Sequence, residues 1–321
     1  MDHAHPPGAD IQTRWLAYGE LVRLSNVPTV VADVAAGYLL ARSAVEPGRW
    51  EAGDVARLAM LVVASGALYM AGMVLNDVFD YEVDRRERPE RPLPSGRVSR
   101  EAAAWLGGAL LLLGLAGGWF LAAWIGRWRP GLTAVALAAC IVAYDGLLKR
   151  TPVGPVAMGA CRSLNLLLAS SAVGRGWAGP EWLVAAAVGI YIAGVTGLAR
   201  REAERSRPVA LVGALGVMVC GISALAALPL WSDRIIALVA REPAPWYALL
   251  AMVGAVVVAR GATAVRDPRP PVVQRAVAGS IRTLVVLDAA IVLAVGGVAA
   301  AVAVLALLVP MTLAGRVFRA T

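Results

Sequence analysis

Residues 58–84 read LAMLVVASGALYMAGMVLNDVFDYEVD, an uncharged apolar run that ends in Asn76 and a series of acidic residues. An apolar stretch of about twenty residues is long enough to cross the hydrocarbon core of a bilayer as a helix. The rest of the chain has the same character, because 59% of its 321 residues are hydrophobic and only 16% are charged. The sequence therefore predicts a helical membrane protein, and its continuous apolar runs exclude a transmembrane β-barrel, whose strands alternate between apolar and polar residues.

Apolar runs recur along the chain and predict an all-α, polytopic bundle of nine or ten transmembrane spans. They lie at 16–41, 56–78, 102–124, 131–148, 155–174, 182–199, 208–230, 244–264, 272–293 and 297–315. The last two runs are separated only by Gly296 and Gly297, so they are either two spans or one bent span. Because no long linker divides the chain, we expect a single domain over 15–321 that follows a polar tail over 1–14.

Arginine and lysine residues indicate which connections face the cytoplasm. They collect after the second, fourth, sixth and eighth spans and at the C-terminus. Because translocation of cations across the bilayer is disfavoured, these connections are predicted to be cytoplasmic. The net charge of +8 largely reflects this asymmetry. The basic residues are scattered between spans rather than gathered on one soluble face, so no nucleic acid partner is expected.

The acidic end of the second span predicts a metal site. Asp77, Asp80 and Asp84 are separated by three and four residues, so on a helix they project within one sector, with Asn76 beside them. Clustered carboxylates at a membrane boundary repel one another unless they share a cation. Oxygen ligands of this kind suit Mg²⁺, whose coordination is often completed by substrate phosphates. For any single aspartate, an ion pair with the arginines that follow is the alternative.

The loop after this helix end, RPERPLPSG over 88–96, adds cations and proline-fixed geometry that suit a phosphate-bearing ligand. Helix end and loop together resemble the first signature of the UbiA superfamily of intramembrane prenyltransferases, NDxxDxxxD followed by RPxxxG. The matching residues are Asn76, Asp77, Asp80, Asp84, Arg91, Pro92 and Gly96.

This resemblance implies a helical bundle with a central cavity, open laterally to lipid, in which Mg²⁺ holds a polyprenyl diphosphate. The expected activity is transfer of the prenyl group to an unidentified acceptor after metal-assisted ionisation of the diphosphate. The expected metal ligands are Asn76, Asp77, Asp80 and Asp84, of which Asp77 and Asp80 are also assigned as catalytic. We expect a multi-pass protein of a bacterial plasma membrane with its active site toward the cytoplasm.

Polar residues in other spans extend the predicted site. Lys149 and Arg162 resemble the cationic side of the diphosphate cavity and are assigned as catalytic together with Asp77 and Asp80. A guanidinium as deep in a span as Arg162 is costly without an anion or an aqueous cavity. Pairing of Lys149 with Asp145, one turn away, is an equally good alternative. Asp33 and Asp288 are expected to bond helices to each other. The predicted substrate-binding residues are Arg23, Asn26, Asn76, Arg91, Tyr144, Asn165 and Arg200.

The superfamily's second signature, an Asp-rich DxxxD-like cluster at the end of the sixth span, is absent. The stretch at 196–205 reads TGLARREAER, where Glu202 and Glu204 point to different helical faces. Either Glu202 alone binds the second metal ion, or that ion is held differently, or catalysis is impaired. Together with KRTP at 149–152 and the helix that carries Arg162, this stretch most resembles the EboC-like branch of the superfamily.

Two other functions stay open. The missing second signature permits a prenyl-lipid-binding subunit without turnover. The charged residues within spans permit a small-molecule transporter, although the two halves of the sequence show no convincing inverted repeat.

Overall fold

The computed structural model describes residues 10–45, 51–174, 176–200, 202, 205–231 and 243–318, and within these residues it contains helices and no strands. The helices are α1 Asp10–Leu21, α2 Val27–Ser43, α3 Ala52–Phe79, α4 Tyr81–Glu87, α5 Arg100–Ile125, α6 Arg129–Ala143, α7 Gly154–Ser171, α8 Gly179–Ala199, α9 Pro208–Leu225, α10 Pro243–Arg266, α11 Pro270–Leu305 and α12 Leu308–Val317. Short 3-10 turns lie at Leu24–Asn26 and Leu228–Trp231, and a π-helical turn lies at Tyr144–Leu148.

Eight helical stretches in the described part of the chain are long and apolar enough to cross a membrane. The protein is therefore an integral, multi-pass membrane protein, and the all-α prediction is confirmed. The helix α7 is not among the eight, because Arg162 and Asn165 lower its mean hydropathy, yet it packs against α2, α6 and α8. The stretch Pro270–Val317 counts as one of the eight, so the number of nine or ten spans stays a prediction.

The first predicted span, 16–41, is interrupted. Helix α1 ends at Leu21, and Arg23 adopts a left-handed conformation with φ 50° and ψ 52° before α2 begins. Pro28 lies in the first turn of α2, where its missing N–H costs nothing, so it is compatible with a helix that begins here. The polar tail expected over 1–14 overlaps α1, which begins at Asp10, and residues 1–9 lie outside the described residues.

The last apolar stretch changes direction at Gly297, where φ is 80° and ψ is −178°. This conformation is essentially confined to glycine. Before the turn, Gly296 lies near Leu39 at one end of α2. After it, α12 packs on the 3-10 turn at the opposite end of α2, and Phe318 packs on Gly19. The chain after Gly297 thus runs back along α2, which favours two spans over one bent span.

Consecutive spans pack as neighbours, and α11 packs against α2, which closes the ring of helices. Small residues allow close contact between helices. For example, a Cβ added to Gly159 of α7 would lie 2.3 Å from the carbonyl oxygen of Gly189 on α8. Helix α2 also packs against α3 and α7. Polar residues of α2, α3, α7 and α11 therefore meet inside the bundle.

Candidate functional site

The end of α3 and the short helix α4 carry the acidic residues of the site. Asp80 joins the two helices, and the Asp84 N–H donates to the Asp80 carbonyl oxygen at 2.8 Å, so the helical path is nearly continuous. Asp77 and Asp84 are two turns apart and lie on the same face. Arg91 Nη1 contacts both, at 2.7 Å from Asp84 Oδ2 and 3.5 Å from Asp77 Oδ1. All three side chains are buried, so the guanidinium neutralises carboxylates that water reaches poorly.

The proline-rich loop fixes the position of Arg91. Ser95 donates hydrogen bonds to the Arg91 carbonyl oxygen from both its N–H, at 3.0 Å, and its hydroxyl group, at 2.6 Å. Gly96 has a φ of 75°, which favours glycine at that position. Arg97 then pairs with Glu20 of α1 at 2.8 Å. The loop is thereby closed on itself, tied to α1, and oriented with Arg91 against the acidic helix end.

Asp80 lies about 60° around the helix from Asp77 and meets different cations. Its Oδ2 is 2.7 Å from Lys149 Nζ, and its Oδ1 is 3.0 Å from Arg150 Nη2. Lys149 follows the π-helical turn, whose closing hydrogen bond runs from the Lys149 N–H to the Tyr144 carbonyl oxygen at 2.9 Å. Such turns concentrate at functional sites. The connection after α6 therefore supplies the cations for Asp80.

Asp145 lies at the site, and its partner there is not the lysine that the sequence suggested as an alternative. It does not pair with Lys149; it accepts a hydrogen bond from Asn76 Nδ2 at 2.8 Å and is buried. Asn76 and Asp145 are far apart in sequence, so no local pattern joins them. The local pattern, an aspartate four residues before a lysine, suggested Lys149 as the alternative partner of Asp145. Asp145 thus adds a carboxylate to the acidic helix end, beside the partly buried Tyr144.

The carboxylate and amide oxygens at the end of α3 are of the kind that binds Mg²⁺, although in this structure the carboxylates form ion pairs with arginine and lysine side chains. Among the described residues, no three Asp, Glu, His or Cys side chains form a group that could hold a metal ion. Mg²⁺ usually needs only one or two carboxylates when phosphates and water complete its coordination. The amide and carboxylate oxygens of Asn76, Asp77, Asp80 and Asp84 are therefore of a chemistry that would fit Mg²⁺, provided that the cations now paired with the carboxylates took other partners. That all four share one ion stays a prediction.

A cavity of about 280 Å³ opens beside this cluster, between α1 and the proline-rich loop. Its lining residues are Glu20, Arg23, Asp77, Glu90, Arg91, Pro92 and Arg97. Arg23 Nη2 lies 3.5 Å from Asp77 Oδ1, so the strained residue between α1 and α2 is brought to the site. Asn26 lies in the adjacent 3-10 turn. The lining combines three arginines with three carboxylates, so an anionic group bound there would compete with the carboxylates for the arginines.

A sequence model of the UbiA prenyltransferase family matches residues 30–278. The chain belongs to this family. Digeranylgeranylglyceryl phosphate synthase of Thermococcus kodakarensis is 37% identical over 119 residues, which is 37% of this chain and 40% of that protein. The enzyme of the same name from Ignicoccus hospitalis is 37% identical over 169 residues, 51% of this chain and 49% of that protein. The chain thus spans about half or less of the length of these curated relatives.

Solved structures show the same fold. A UbiA homologue from Archaeoglobus fulgidus bound to GPP and Mg²⁺ matches with a TM-score of 0.59 and 16% identity, over 90% of this chain and 99% of that one. A digeranylgeranylglyceryl phosphate synthase structure matches with a TM-score of 0.62 and 21% identity, over 88% and 98%. At these identities the likeness shows a UbiA-like fold alone.

Arg162 lies in a separate cluster deeper in this UbiA-like bundle. It forms an ion pair with Asp33 of α2, and its Nη2 donates to Thr29 Oγ1 at 2.8 Å. Asn165 Nδ2 also donates to Asp33 Oδ2, at 3.1 Å. The guanidinium stacks on Tyr69, which is two turns of α3 before Asp77. These contacts supply Arg162 with its counter-charge inside the protein, so the diphosphate-binding roles of Arg162 and Asn165 stay predictions that their contacts do not favour.

Glu202 faces the proline-rich loop from the end of α8. Its Oε1 lies 3.9 Å from Arg88 Nη2. Burial raises the pKa of the Glu202 carboxyl group, and Arg88 opposes this shift. Arg200 Nη2 lies 3.5 Å from the Arg150 carbonyl oxygen, so the same connection approaches the cations around Asp80. Glu204 lies outside the described residues. Glu202 is thus close to the first signature's loop, and its role as a metal ligand stays a prediction.

Proposed function

We propose that this protein is a Mg²⁺-dependent prenyltransferase that transfers the prenyl group of a polyprenyl diphosphate to an acceptor at the cytoplasmic membrane face. Membership of the UbiA prenyltransferase family supports the reaction class. The observation that carries the proposal is the pairing of two acidic residues with two cations: Arg91 Nη1 and Lys149 Nζ each lie 2.7 Å from a carboxylate oxygen. Such a cluster can divide its charges between a metal ion and a diphosphate.

Asn76, Asp77, Asp80 and Asp84 would hold Mg²⁺, which when bound would neutralise charge that develops on the leaving diphosphate. Arg91 and Lys149 would exchange their carboxylate partners for phosphate oxygens, so that no buried cation is left unpaired. Because both cations are already held at the site, they can stabilise the leaving group with little reorganisation. The surrounding apolar helices would exclude water that would quench an allylic cation.

The acceptor in this proposal carries an anionic group that Arg23 and Arg97 bind in the adjacent cavity. The curated relatives are named for a product, digeranylgeranylglyceryl phosphate, that contains a phosphate. A prenylated glyceryl phosphate is therefore the acceptor class to test first, against an aromatic carboxylic acid as a second class.

The test measures prenylated product by mass spectrometry, with purified protein, Mg²⁺, prenyl diphosphates of several lengths and both acceptor classes. We expect Asp77→Ala and Asp80→Ala each to abolish transfer while the protein stays folded, because metal ligands are lost and carboxylate repulsion is relieved. Asp267→Ala is the matched control, since its carboxylate forms an ion pair with Arg269, outside the site.

Near-wild-type activity in both site variants would contradict the assignment of the acidic helix end. Mg²⁺-dependent binding of the diphosphate without product from any acceptor would favour the non-catalytic lipid-binding function. Transport is disfavoured by the contacts of the intramembrane charges, because Asp33 and Asp288 are fully buried rather than exposed along a pathway.

A further inference from the structure

Two carboxyl groups meet at the seam where the ring of helices closes. Asp33 of α2 and Asp288 of α11 are both 0% exposed, and their side chains are within hydrogen-bonding distance of each other. Three of their four oxygens, Asp33 Oδ1 and both oxygens of Asp288, receive no hydrogen bond from any donor in the described part of the chain. Buried polar atoms without a partner are rare and cost free energy. The pair therefore lacks a donor.

The charges of this cluster do not balance if both carboxyl groups are ionised. Among the described residues, the charged groups found to act on Asp288 are Asp33 and the guanidinium of Arg162. One guanidinium against two carboxylates leaves an excess negative charge among buried residues of membrane-spanning helices, where an uncompensated charge is expensive. Two adjacent carboxylates relieve such repulsion by sharing a proton.

The hydrogen bonds identify which carboxyl group is ionised. Asp33 Oδ2 accepts from Arg162 and from Asn165, and Arg162 is held in turn by Thr29. Donors of this kind favour a carboxylate at Asp33. Asp288 has no such donor, so it is the group that gains by holding a proton and donating it.

We propose that Asp33 and Asp288 form a site for one proton at neutral pH, with Asp288 as a neutral carboxylic acid that donates a hydrogen bond to the Asp33 carboxylate. The proton makes the cluster of Asp33, Asp288 and Arg162 electrically neutral. It also supplies the missing donor and joins α2 to α11, the two spans whose contact closes the ring. This site is separate from the acidic helix end and does not depend on prenyl transfer.

The experiment compares Asp288→Asn with Asp33→Asn in the full-length protein in detergent at neutral pH. Asparagine is neutral and keeps a donor, so Asp288→Asn should leave the Tm close to that of the wild type. Asp33→Asn removes the ionised partner of Arg162 and should lower the Tm by several degrees. The infrared carbonyl-stretch band of a protonated carboxyl group should be present in the wild type and lose intensity in Asp288→Asn, a readout that does not require Asp33→Asn to fold.

An unchanged infrared band in Asp288→Asn would overturn the proposal, as would a loss of Tm in Asp288→Asn equal to that in Asp33→Asn. A wild-type Tm that rises with Na⁺, compared with a large organic cation at equal ionic strength, would also overturn it. In that case a metal ion rather than a proton would lie between the two carboxylates.

Discussion

Replacing Arg91 with methionine tests how the acidic helix end is held together. The substitution keeps most of the apolar length of the side chain and removes the guanidinium. Asp77 retains Arg23 at 3.5 Å, whereas Arg91 is the only ion-pair partner of Asp84 among the described residues. The change should therefore act mainly through Asp84, which would be left buried and charged without a partner.

The magnitude follows from the burial of this pair. The Arg91 and Asp84 side chains are 5% and 6% exposed, and the contact is 2.7 Å. Removing one partner of a buried ion pair costs about 3–5 kcal/mol. With a shift of roughly 2 °C per kcal/mol for a long chain, the Tm should fall by about 6–10 °C in EDTA. Arg97→Met is the matched control, because its pair with Glu20 is more exposed and should contribute at most about 1 kcal/mol.

The assay is thermal unfolding of both variants and the wild type in EDTA and in Mg²⁺. Added Mg²⁺ should recover part of the lost Tm in Arg91→Met and stabilise the wild type less, because Arg91 competes for the same carboxylates. If Arg91→Met unfolded at the wild-type temperature in EDTA, the cluster would be solvated rather than held by Arg91. An equal Mg²⁺ response in the two proteins would refute competition between metal and guanidinium.

Two further predictions concern Glu202 and Gly297. Glu202→Gln should raise the Mg²⁺ concentration needed for half-maximal activity, since one negative group near the site is lost, and a titration curve equal to that of the wild type would mean that Glu202 has no metal role. Gly297→Ala should lower the free energy of unfolding by about 1–3 kcal/mol, because φ 80° with ψ −178° is strained for alanine. Chemical denaturation beside Gly315→Ala, which has open space around it, checks this, and equal losses would argue against a turn at Gly297.

The sequence predicted most spans because apolar length alone decides them. The run at 56–78 became α3, Ala52–Phe79, and the run at 102–124 became α5, Arg100–Ile125. The interruption at Arg23 was missed because the apolar residues on both sides were read as one run, although Glu20, Arg23, Asn26 and Pro28 were available signals. Hydropathy alone also does not indicate α7 as a span, because its polar residues lower the mean value. These polar residues find their partners only when the helices pack.

The partners of the acidic residues were less predictable than their presence. Helical spacing correctly placed Asp77 and Asp84 on one face, where they share Arg91. The same spacing argument treated Asp80 as equivalent to Asp77 and Asp84. Asp80 lies about 60° around the helix from Asp77, which is enough to direct its carboxylate toward the connection after α6. Which cation fills that position depends on α6 and the π-helical turn, and no local pattern around Asp80 contains this information. The same holds for the hydrogen bond between Asn76 and Asp145.

Arg162 shows what a charged residue within a span does and does not imply. A guanidinium at its depth is costly alone, and the sequence analysis expected either an anion or an aqueous cavity beside it. The structure supplies Asp33, so the Arg162 guanidinium has its counter-charge within the protein. The ion pairs of Asp80 differ, because the Asp80 side chain is 19% exposed and Arg150 is 65% exposed, whereas the Asp33 side chain is fully buried. Exposed pairs exchange partners at little cost, so an incoming metal and diphosphate are accommodated more readily around Asp80 than around Arg162.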